Sequence, residues 1–561
     1  MVRPLKPVWI LKQENPISTV VTSSTGQVTN TSTDSAFDLP VRVRFAPSPT
    51  GSLHIGGLRT ALYNYLFALK MKGKFVLRIE DTDQTRLVPG SFEDILDHLQ
   101  WAGIEIHEGG GQRGKFGPYM QSQRLALYKK YTNRLLENGS AYRCFCPSER
   151  LELLRSRSKN RGLGSYDNHC RSLSEADVDA HLAAGQPFTV RFKLKDDVTC
   201  FNDVVFGERR RNLTKVEPDP IIFKSDGRPT YHLASVIDDN AMKITHVLRG
   251  EEWLISTVKH CQLYNALGMT PPIFVHLPLL ADSDGTKLSK RKDHAQVEYF
   301  RRQGYSPLVL ANFLCRIGGG FADLPHRSTE IYSLEELASK IELSLIKRHH
   351  VQIHMPFLHE LNRTHLLKHS DSDIVDSMNT LAQNNFLAST SSSEIHECRL
   401  SKLDAELITR LPNFIRSEYR IYSLQQFYTD PDWTWVWSCN NGDRCDSDRL
   451  GDIDSSKENS LRFSAATVKK IEFLNALEKL FLKQRIDPNE ILQSVKQISA
   501  DTNIEYAAGL QALRLALIGK PEGTKMILLL QLMDSIEIVR RIREFRNFVE
   551  SEDEDKRMVQ S

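Results

Sequence analysis

From Val41 to Ala46 apolar and polar residues alternate as in a half-buried strand, and a Pro-Ser-Pro-Thr-Gly turn ends the run. Leu58, Leu62, Tyr65, Leu66 and Leu69 then recur at helical spacing, with Gly73 suited to close the helix. Lys74 to Ile79 reads as a second strand, and Phe92 to Trp101 as a second helix closed by Gly103. Strand, Gly-rich turn, helix, strand opens a doubly wound α/β fold, whose ligands sit beyond the carboxyl ends of the strands. Past Gly109 the pattern changes: loop to Pro118, helix from Leu125 to Leu136, a basic turn-rich stretch from Cys144 to Arg171, and short strands across Val190 to Phe206. Residues 110–225 thus read as an α+β insertion between a first half at 41–109 and a second at 226–285. The second half holds a strand at His246 to Arg249, a helix around Leu254 to Leu267 and a strand at Ile273 to Leu277. From Ser306 the signal is helical, in Leu308 to Ile317, Leu334 to Ile341, Ala465 to Gln484, Ile491 to Ile498, Gly509 to Ile518 and Met526 to Phe548. A polar insert, Cys439 to Glu458, is dense in Asp, Asn and Ser.

At 561 residues, 40% of them hydrophobic and 25% charged, the chain has room for three or more domains of ordinary globular composition. A net charge of +3 supplies no blanket basic field, so any nucleic-acid surface must be local. Apolar runs such as Met526 to Leu530 are far too short to cross a bilayer. Nine cysteines in a chain this long do not make a disulfide framework and fit a reducing compartment. The first 40 residues stand apart: Arg3, Lys6 and Lys12 precede the first acid, Glu14, and Asn15 to Thr33 is uncharged and rich in Ser and Thr. Residues 1–40 resemble an organellar transit peptide, an unstructured N-terminus being the plainer reading.

Two stretches carry candidate chemistry. His54-Ile55-Gly56-Gly57 lies where the first turn gives way to a helix, so free N–H groups and the positive end of the helix dipole face whatever sits above it. Gly56 and Gly57 let a phosphate chain approach, and His54 can donate to a phosphate oxygen. Taken alone, a His beside a Gly turn is more often a helix cap. In Lys287-Leu288-Ser289-Lys290 two lysines can converge on one anion if their loop closes around it, though such a pair is more often a solvated basic loop.

The order of motifs changes those readings. Arg44-x-Ala46-Pro47-Ser48-Pro49-Thr50-Gly51, His54-Ile55-Gly56-Gly57, Arg78-Ile79-Glu80-Asp81-Thr82-Asp83, Gly117-Pro118-Tyr119-x-Gln121-Ser122, Pro229-Thr230-Tyr231-His232-Leu233-Ala234, Arg249-Gly250-Glu251-Glu252-Trp253-Leu254 and Lys287-Leu288-Ser289-Lys290-Arg291-Lys292 resemble the consecutive motifs of bacterial-type glutamyl-tRNA synthetases, class I aminoacyl-tRNA synthetases. The likeness is dense from Val41 to about Gly318 and looser to about Phe545. Glutaminyl and eukaryotic cytosolic glutamyl enzymes carry a different opening motif and a β-barrel C-terminal half, and do not match.

The resemblance implies an α/β fold: a doubly wound Rossmann-type catalytic domain interrupted by an acceptor-binding connective domain at 110–225. After it come a Lys-rich catalytic loop and stem-contact helical domain at 286–365, an all-α anticodon-binding region at 366–549 with an unstructured insert at 439–458, and an acidic tail at 550–561. Arg44, Ala46, Ser48, Glu80, Tyr231, Arg249 and Trp253 would form the glutamate pocket, with Arg249 gripping the side-chain carboxylate and Glu80 the ammonium. Two arginines suit a substrate with two carboxylates, and glutamine is rejected because it leaves a buried guanidinium unpaired. His54, Gly56, Gly57, Glu252, Lys287, Leu288 and Lys290 would bind ATP, with His54, Lys287 and Lys290 as the catalytic group.

Mg²⁺ would accompany ATP, held largely by phosphates and water, while Asp81 and Asp83 read as structural. Zinc is not expected. Some relatives bind it through C-x-C and C-x-H pairs, but here Cys144-Phe145-Cys146 is followed by Cys170-Arg171-Ser172, leaving only the adjacent His169 to substitute. Ser235 stands where many members have Asn, four positions after Tyr231, and its hydroxyl reaches less far. For tRNA, Lys469-Lys470 and Arg540-Arg541-x-Arg543-x-x-Arg546 are solvated helix faces when taken alone. Leu513-Arg514-Leu515-Ala516-Leu517-Ile518-Gly519-Lys520-Pro521 resembles the family's anticodon-region motif, and Arg420-Ile421-Tyr422-Ser423-Leu424 is a weaker match. The implied reaction is ligation of L-glutamate to the glutamate tRNA with ATP, the glutamine tRNA being an open second partner. A monomer without membrane contact is expected, in the mitochondrial matrix or another organelle.

Overall fold

The computed structural model describes residues 40–111, 114–158, 166–282, 285, 295–389, 405–429, 466–483, 488–520, 523–533 and 535–560. The expected leader, up to residue 39, and the insert at 439–458 lie outside them. Two units result: one from residues up to Arg301 with Ser306–Leu358, the other from Arg302–Tyr305 with His359 onward.

In the first unit β1 (Arg42–Phe45) leads through α1 (Ile55–Lys70) into β2 (Lys74–Leu77), parallel to β1, and then α2 (Ser91–Trp101). Helix α1 is the central column: every residue from Ala61 to Ala68 is buried, and its one polar member there, Asn64, donates to Thr60 O and Leu248 O. Gly73 does not close this helix through a left-handed turn; Lys72 takes that conformation, with φ 49°. Gly73 is required by close approach instead, since a Cβ there would lie 2.2 Å from Val41 O.

There follow α3 (Leu125–Glu137), β3 (Ala141–Cys144), α4 (Ser148–Ser158), α5 (Glu175–Ala183), β4 (Thr189–Phe192), β5 (Thr199–Asp203), β6 (Gly207–Arg211) and β7 (Ile221–Phe223). The basic stretch read as turns therefore contains a helix, α4, opened by Ser148 and Glu149. Strands β3, β4 and β7 form a sheet of their own, but the β5–β6 hairpin joins the nucleotide-fold sheet: Asp203 pairs with Phe274, and Val204 N donates to Phe274 O at 3.0 Å.

The second half runs α6 (Tyr231–Ala241), β8 (His246–Gly250), α7 (Leu254–Leu267) and β9 (Ile273–Leu277), with β8 and β9 parallel. Thr245 joins the halves: its N–H donates to Arg42 O at 2.9 Å and its carbonyl accepts from Ile273 N at 2.9 Å. Strand β1 thus lies beside β8, and chain direction through the sheet diverges between them. The crevice beyond their carboxyl ends is where such a sheet binds ligands.

The second unit is helical among its described residues. Ile415, Phe427, Phe473, Leu513, Leu529 and Ile542 meet in one core. The run expected as one helix from Met526 to Phe548 is two, Met526–Leu532 and Ser535–Gln560, because Met533 is extended and buried. The second continues through the residues read as an acidic tail. The arginine cluster closes the bundle: Arg543 and Arg546 each reach Glu478 at 2.6 Å, and Arg540 and Arg541 pair with Glu537. Arg420 and Arg514, one from each of the two stretches likened to the anticodon region, converge on Thr524.

Replacing Gly73 with Ala tests the close approach, because neither Val41 O nor the β1–β2 pair can move without loss of register. Thermal or urea unfolding should show a loss of about 1–3 kcal/mol.

Candidate active site

The carboxyl ends of β1 and β8 present Arg44 and Arg249 side by side. Arg44 is bound in place: its guanidinium reaches Asp239 at 3.0 and 3.4 Å and Leu248 O at 3.3 Å. Asp239 also accepts from Arg78 at 2.6 Å, and Arg78 donates to Glu80 at 3.0 Å. Neighbouring Asp238 takes Arg124 at 2.7 Å, Tyr128 at 2.8 Å and Gln121 at 2.8 Å. Three arginines and three carboxylates are thus packed under the crevice, nearly all out of water. Burial pushes the Glu80 carboxyl up, against the pull of Arg78 and Arg44. Asp239, which burial would also push up, is held below the usual carboxylate range by those same two arginines.

Ala46 and Ser48 follow on the turn after β1, where Pro47 O accepts from Glu80 N at 3.0 Å. Tyr231 opens α6. Its hydroxyl accepts from Arg249 at 2.9 Å, and its ring lies 4.0 Å from that of Trp253. Desolvation raises the Tyr231 phenol's pKa, and among the charges it feels are Arg249, Glu80 and Arg44. The expected glutamate residues therefore share one electrostatic neighbourhood, but Arg44 faces it with its charge matched by Asp239. Ser235, one turn along α6, is buried.

His54 caps α1. Its Nδ1 accepts from Gly56 N at 3.0 Å, which leaves the ring proton of a neutral imidazole on Nε2. Capping and phosphate donation are compatible, because the cap fixes the tautomer that donates. A Cβ at Gly56 would sit 3.2 Å from that Nδ1. Gly57 packs where a Cβ would lie 3.0 Å from Leu53. Glu252 is exposed on the short turn Glu251–Trp253, while Glu251 accepts from Leu279 N at 3.1 Å. Lys287, Leu288 and Lys290 lie outside the described residues, but the return of their stretch is stitched to the His54 turn. Gln296 bridges His54, and Val297 N donates to Leu53 O at 3.0 Å. Asp81 is structural, accepting from Ser122 N at 2.8 Å, and Asp83 accepts from Thr85 at 2.8 Å.

Sequence reasoning missed the residues that hold these groups: Asp238, Asp239, Thr257, His260, His276 and Asp203. Adjacent aspartates inside an otherwise apolar helix, and a His in the middle of an apolar strand, were the available signals.

Residues 40–359 match the family of tRNA synthetases class I (E and Q), catalytic domain, and residues 455–546 match an anticodon binding domain. The first family covers both glutamate and glutamine enzymes, so relatives must separate them. The glutamate–tRNA ligase of Borrelia recurrentis is 34% identical over 514 residues, spanning 91% of this chain and 96% of that protein. The chain belongs to the glutamate–tRNA ligase family. The Clostridioides difficile glutamate–tRNA ligase is 46% identical over 318 residues, 55% of this chain and 64% of that protein. A glutamate–tRNA synthetase structure from Elizabethkingia anophelis superposes with a TM-score of 0.67 at 29% identity, over 90% of this chain and 99% of that one. The family's chemistry uses ATP with Mg²⁺.

The insertion gathers three thiols. Cys144, Cys146 and Cys170 have their sulfurs within 4.8 Å of one another, with Cys146 and Cys170 at 3.5 Å. Sulfurs around one tetrahedral zinc stand about 3.8 Å apart, so the group fits. Zinc is not expected from the sequence, and His169, the only substitute it offers for the missing ligand, is not in the group. The nearest recorded oxygen is the Tyr166 hydroxyl, 3.3 Å from Cys144 Sγ.

Four buried histidines around the site, His232, His246, His260 and His276, are held below the usual imidazole range by desolvation. Burial brings His246 and His276 down to about 4 and, with help from Lys259 and Arg249, His232 to about 3. The unfolded chain takes up these protons near pH 6.5 and the folded chain only well below it, so stability is full above about 6.5 and falls as pH drops toward 4. The fully buried His276 alone should withdraw roughly 3 kcal/mol over that window. Urea midpoints measured between pH 7 and 4.5 should fall, and fall less steeply in His276→Gln.

Proposed function

We propose that this chain activates L-glutamate with ATP and transfers it to the terminal ribose of the glutamate tRNA. The glutamate α-carboxylate attacks the α-phosphorus, forming glutamyl-adenylate as pyrophosphate leaves. A ribose hydroxyl then attacks the acyl carbon, and AMP leaves. The observation that carries this reading is Arg249, a buried guanidinium at the switch point whose protein partners are all neutral, beside Tyr231 and Trp253. It suits the side-chain carboxylate of glutamate and disfavours the uncharged amide of glutamine. Glu80 suits the substrate ammonium. His54 Nε2–H and the N-terminus of α1 suit the phosphates, as do the two cations of Lys287 and Lys290. Positioning and charge neutralisation suffice for such a displacement, and no covalent nucleophile is needed.

ATP–pyrophosphate exchange tests this, run with glutamate and with and without tRNA. Exchange is expected only with tRNA present, and its absence in both samples defeats the reading. Within that assay, Arg249→Gln should raise the glutamate KM by about 100-fold or more while leaving the ATP KM within about twofold, a charge-assisted bidentate contact being lost. An equal rise for both substrates removes Arg249 from the glutamate pocket.

The place of work we propose is an organelle, by preference the mitochondrial matrix, with the chain acting as a monomer on the glutamate tRNA and the glutamine tRNA left as an open second partner. The Ser/Thr-rich first 40 residues support it. Organellar glutamate tRNA should accept glutamate from the purified protein, with the glutamine tRNA assayed beside it to decide the second partner, and charging of cytosolic tRNA alone contradicts the assignment.

Cys144, Cys146 and Cys170 support a structural zinc, which when bound would replace a sulfur-lined core with a fixed one in the insertion. Elemental analysis should find about one zinc per chain, and Cys170→Ser should lose it. A zinc-free reduced protein would leave the thiols as packing.

A further inference from the structure

Arg249 is held differently from the arginines beside it. Arg42, Arg44, Arg78 and Arg124 each contact a carboxylate directly. Arg249 instead donates through Nε to His276 Nε2 at 3.1 Å, through one terminal nitrogen to Tyr231 Oη at 2.9 Å and His260 Nδ1 at 3.3 Å, and through the other to Thr257 Oγ1 at 2.7 Å. A guanidinium can only donate, so the His276 Nε2 it faces must be the bare nitrogen, and the ring's proton must sit on Nδ1. That nitrogen is 2.6 Å from Asp203 Oδ2. Asp203 is itself fixed: Oδ1 accepts from Val205 N at 3.0 Å and Phe206 N at 2.9 Å, and Oδ2 also accepts from His276 N at 3.2 Å. Asp203 and His276 are both buried, and Asp203 comes from the inserted β5–β6 hairpin, not from either half of the nucleotide fold.

We propose that Asp203 and His276 are positioning residues for the acidic substrate: Asp203 locks His276 in the Nδ1–H tautomer, and the bare Nε2 then aims the Arg249 guanidinium. The inference rests on the reading of Arg249 as the residue that grips the glutamate side chain. The interposed imidazole matters electrostatically. A carboxylate placed directly on Arg249 would neutralise it and compete with the substrate's own carboxylate, whereas one placed a ring away orients the cation and leaves its charge for the ligand. The second arm works the same way. His260, accepting from Arg249 through Nδ1, carries its proton on Nε2 and donates it in a hydrogen bond to His232 Nδ1 at 3.1 Å. Burial keeps both rings neutral, so neither repels the guanidinium.

Asp203→Asn separates this role from a merely structural one. Because Oδ1 is held by two backbone N–H groups, the amide nitrogen introduced at 203 faces His276 Nδ1 and drives the ring proton to Nε2, against the Arg249 Nε–H. The glutamate KM should rise about 10- to 100-fold, as when one buried hydrogen bond to a charge is lost. The ATP KM should stay within about twofold, and discrimination against glutamine should fall. In a His276→Gln background, whose amide can turn its oxygen to Arg249, the same substitution should add less than about twofold. Ring ¹⁵N shifts should place the His276 proton on Nδ1 in the unaltered protein and on Nε2 in Asp203→Asn. An Nε2–H His276 in the unaltered protein overturns the proposal, as does an unchanged glutamate KM in folded Asp203→Asn. If Arg249→Gln itself leaves the glutamate KM unchanged, the pocket assignment fails first. If Arg249→Gln raises it and Asp203→Asn does not, only the relay is lost.

Discussion

The structure of the catalytic unit depends on one buried block of charge. Arg44, Arg78 and Arg124 face Glu80, Asp238 and Asp239 with almost no water between them. Such groups repay their desolvation only if every partner is present, and removing one from a block like this typically costs about 3–5 kcal/mol. The block therefore acts as a key: β1, β2, the segment before α3, and α6 can assemble in one register only. That register brings the turn after β1, the end of β8 and the start of α6 to the same crevice. The block is also balanced, three against three, and this is what makes the neighbouring Arg249 distinctive. Beside a neutral foundation stands one cation whose contacts are all with uncharged groups.

Sequence was a good guide wherever structure follows local pattern. The helix at Leu58, Leu62, Tyr65 and Leu66, the strands before and after it, and the His54 turn all lie where periodicity and turn chemistry put them. What escaped notice depends on partners distant along the chain. Arg44 reads as a candidate substrate ligand from its motif, whereas its pairing with Asp239, far away on α6, becomes visible only in the fold. Asp203 carries no local signal at all, because its meaning comes from a strand pairing between the insertion and β9. Gly73 looked like a cap because glycine after a helix usually is one; the nearness of Val41 O became visible only in three dimensions. The zinc question has the same form. Spacing along the chain argued against zinc, because the second pair lacks its His, whereas folding brings Cys170 to Cys146 and the Tyr166 hydroxyl to Cys144.

The helical unit offers a caution about reading basic clusters as nucleic-acid surfaces. Arg540, Arg541, Arg543 and Arg546 look on paper like a cationic stripe, yet Glu478, Glu537 and Glu544 answer them within the bundle. Exposed pairs of this kind contribute little stability individually, but they set which helix faces meet. Charge counted along a sequence overstates the charge presented to a partner, and the low net charge of the chain points the same way.

Arg249 also shows how a site can be stable and still unsatisfied. Each of its three nitrogens has a partner, four hydrogen bonds in all to two imidazoles, a phenol and a hydroxyl, and its guanidinium lies 5.7 Å from the centre of the Phe274 ring. Its charge, however, meets no direct ion pair among the described residues, and an unpaired charge is the more expensive part of burying an arginine. On the proposed reading that cost is relieved when the substrate's side-chain carboxylate enters, so part of the affinity for it is already present in the electrostatics of the fold. An uncharged analogue of the same shape relieves none of it. Selectivity for an acid over its amide then follows from what the protein withholds from Arg249 as much as from what it supplies.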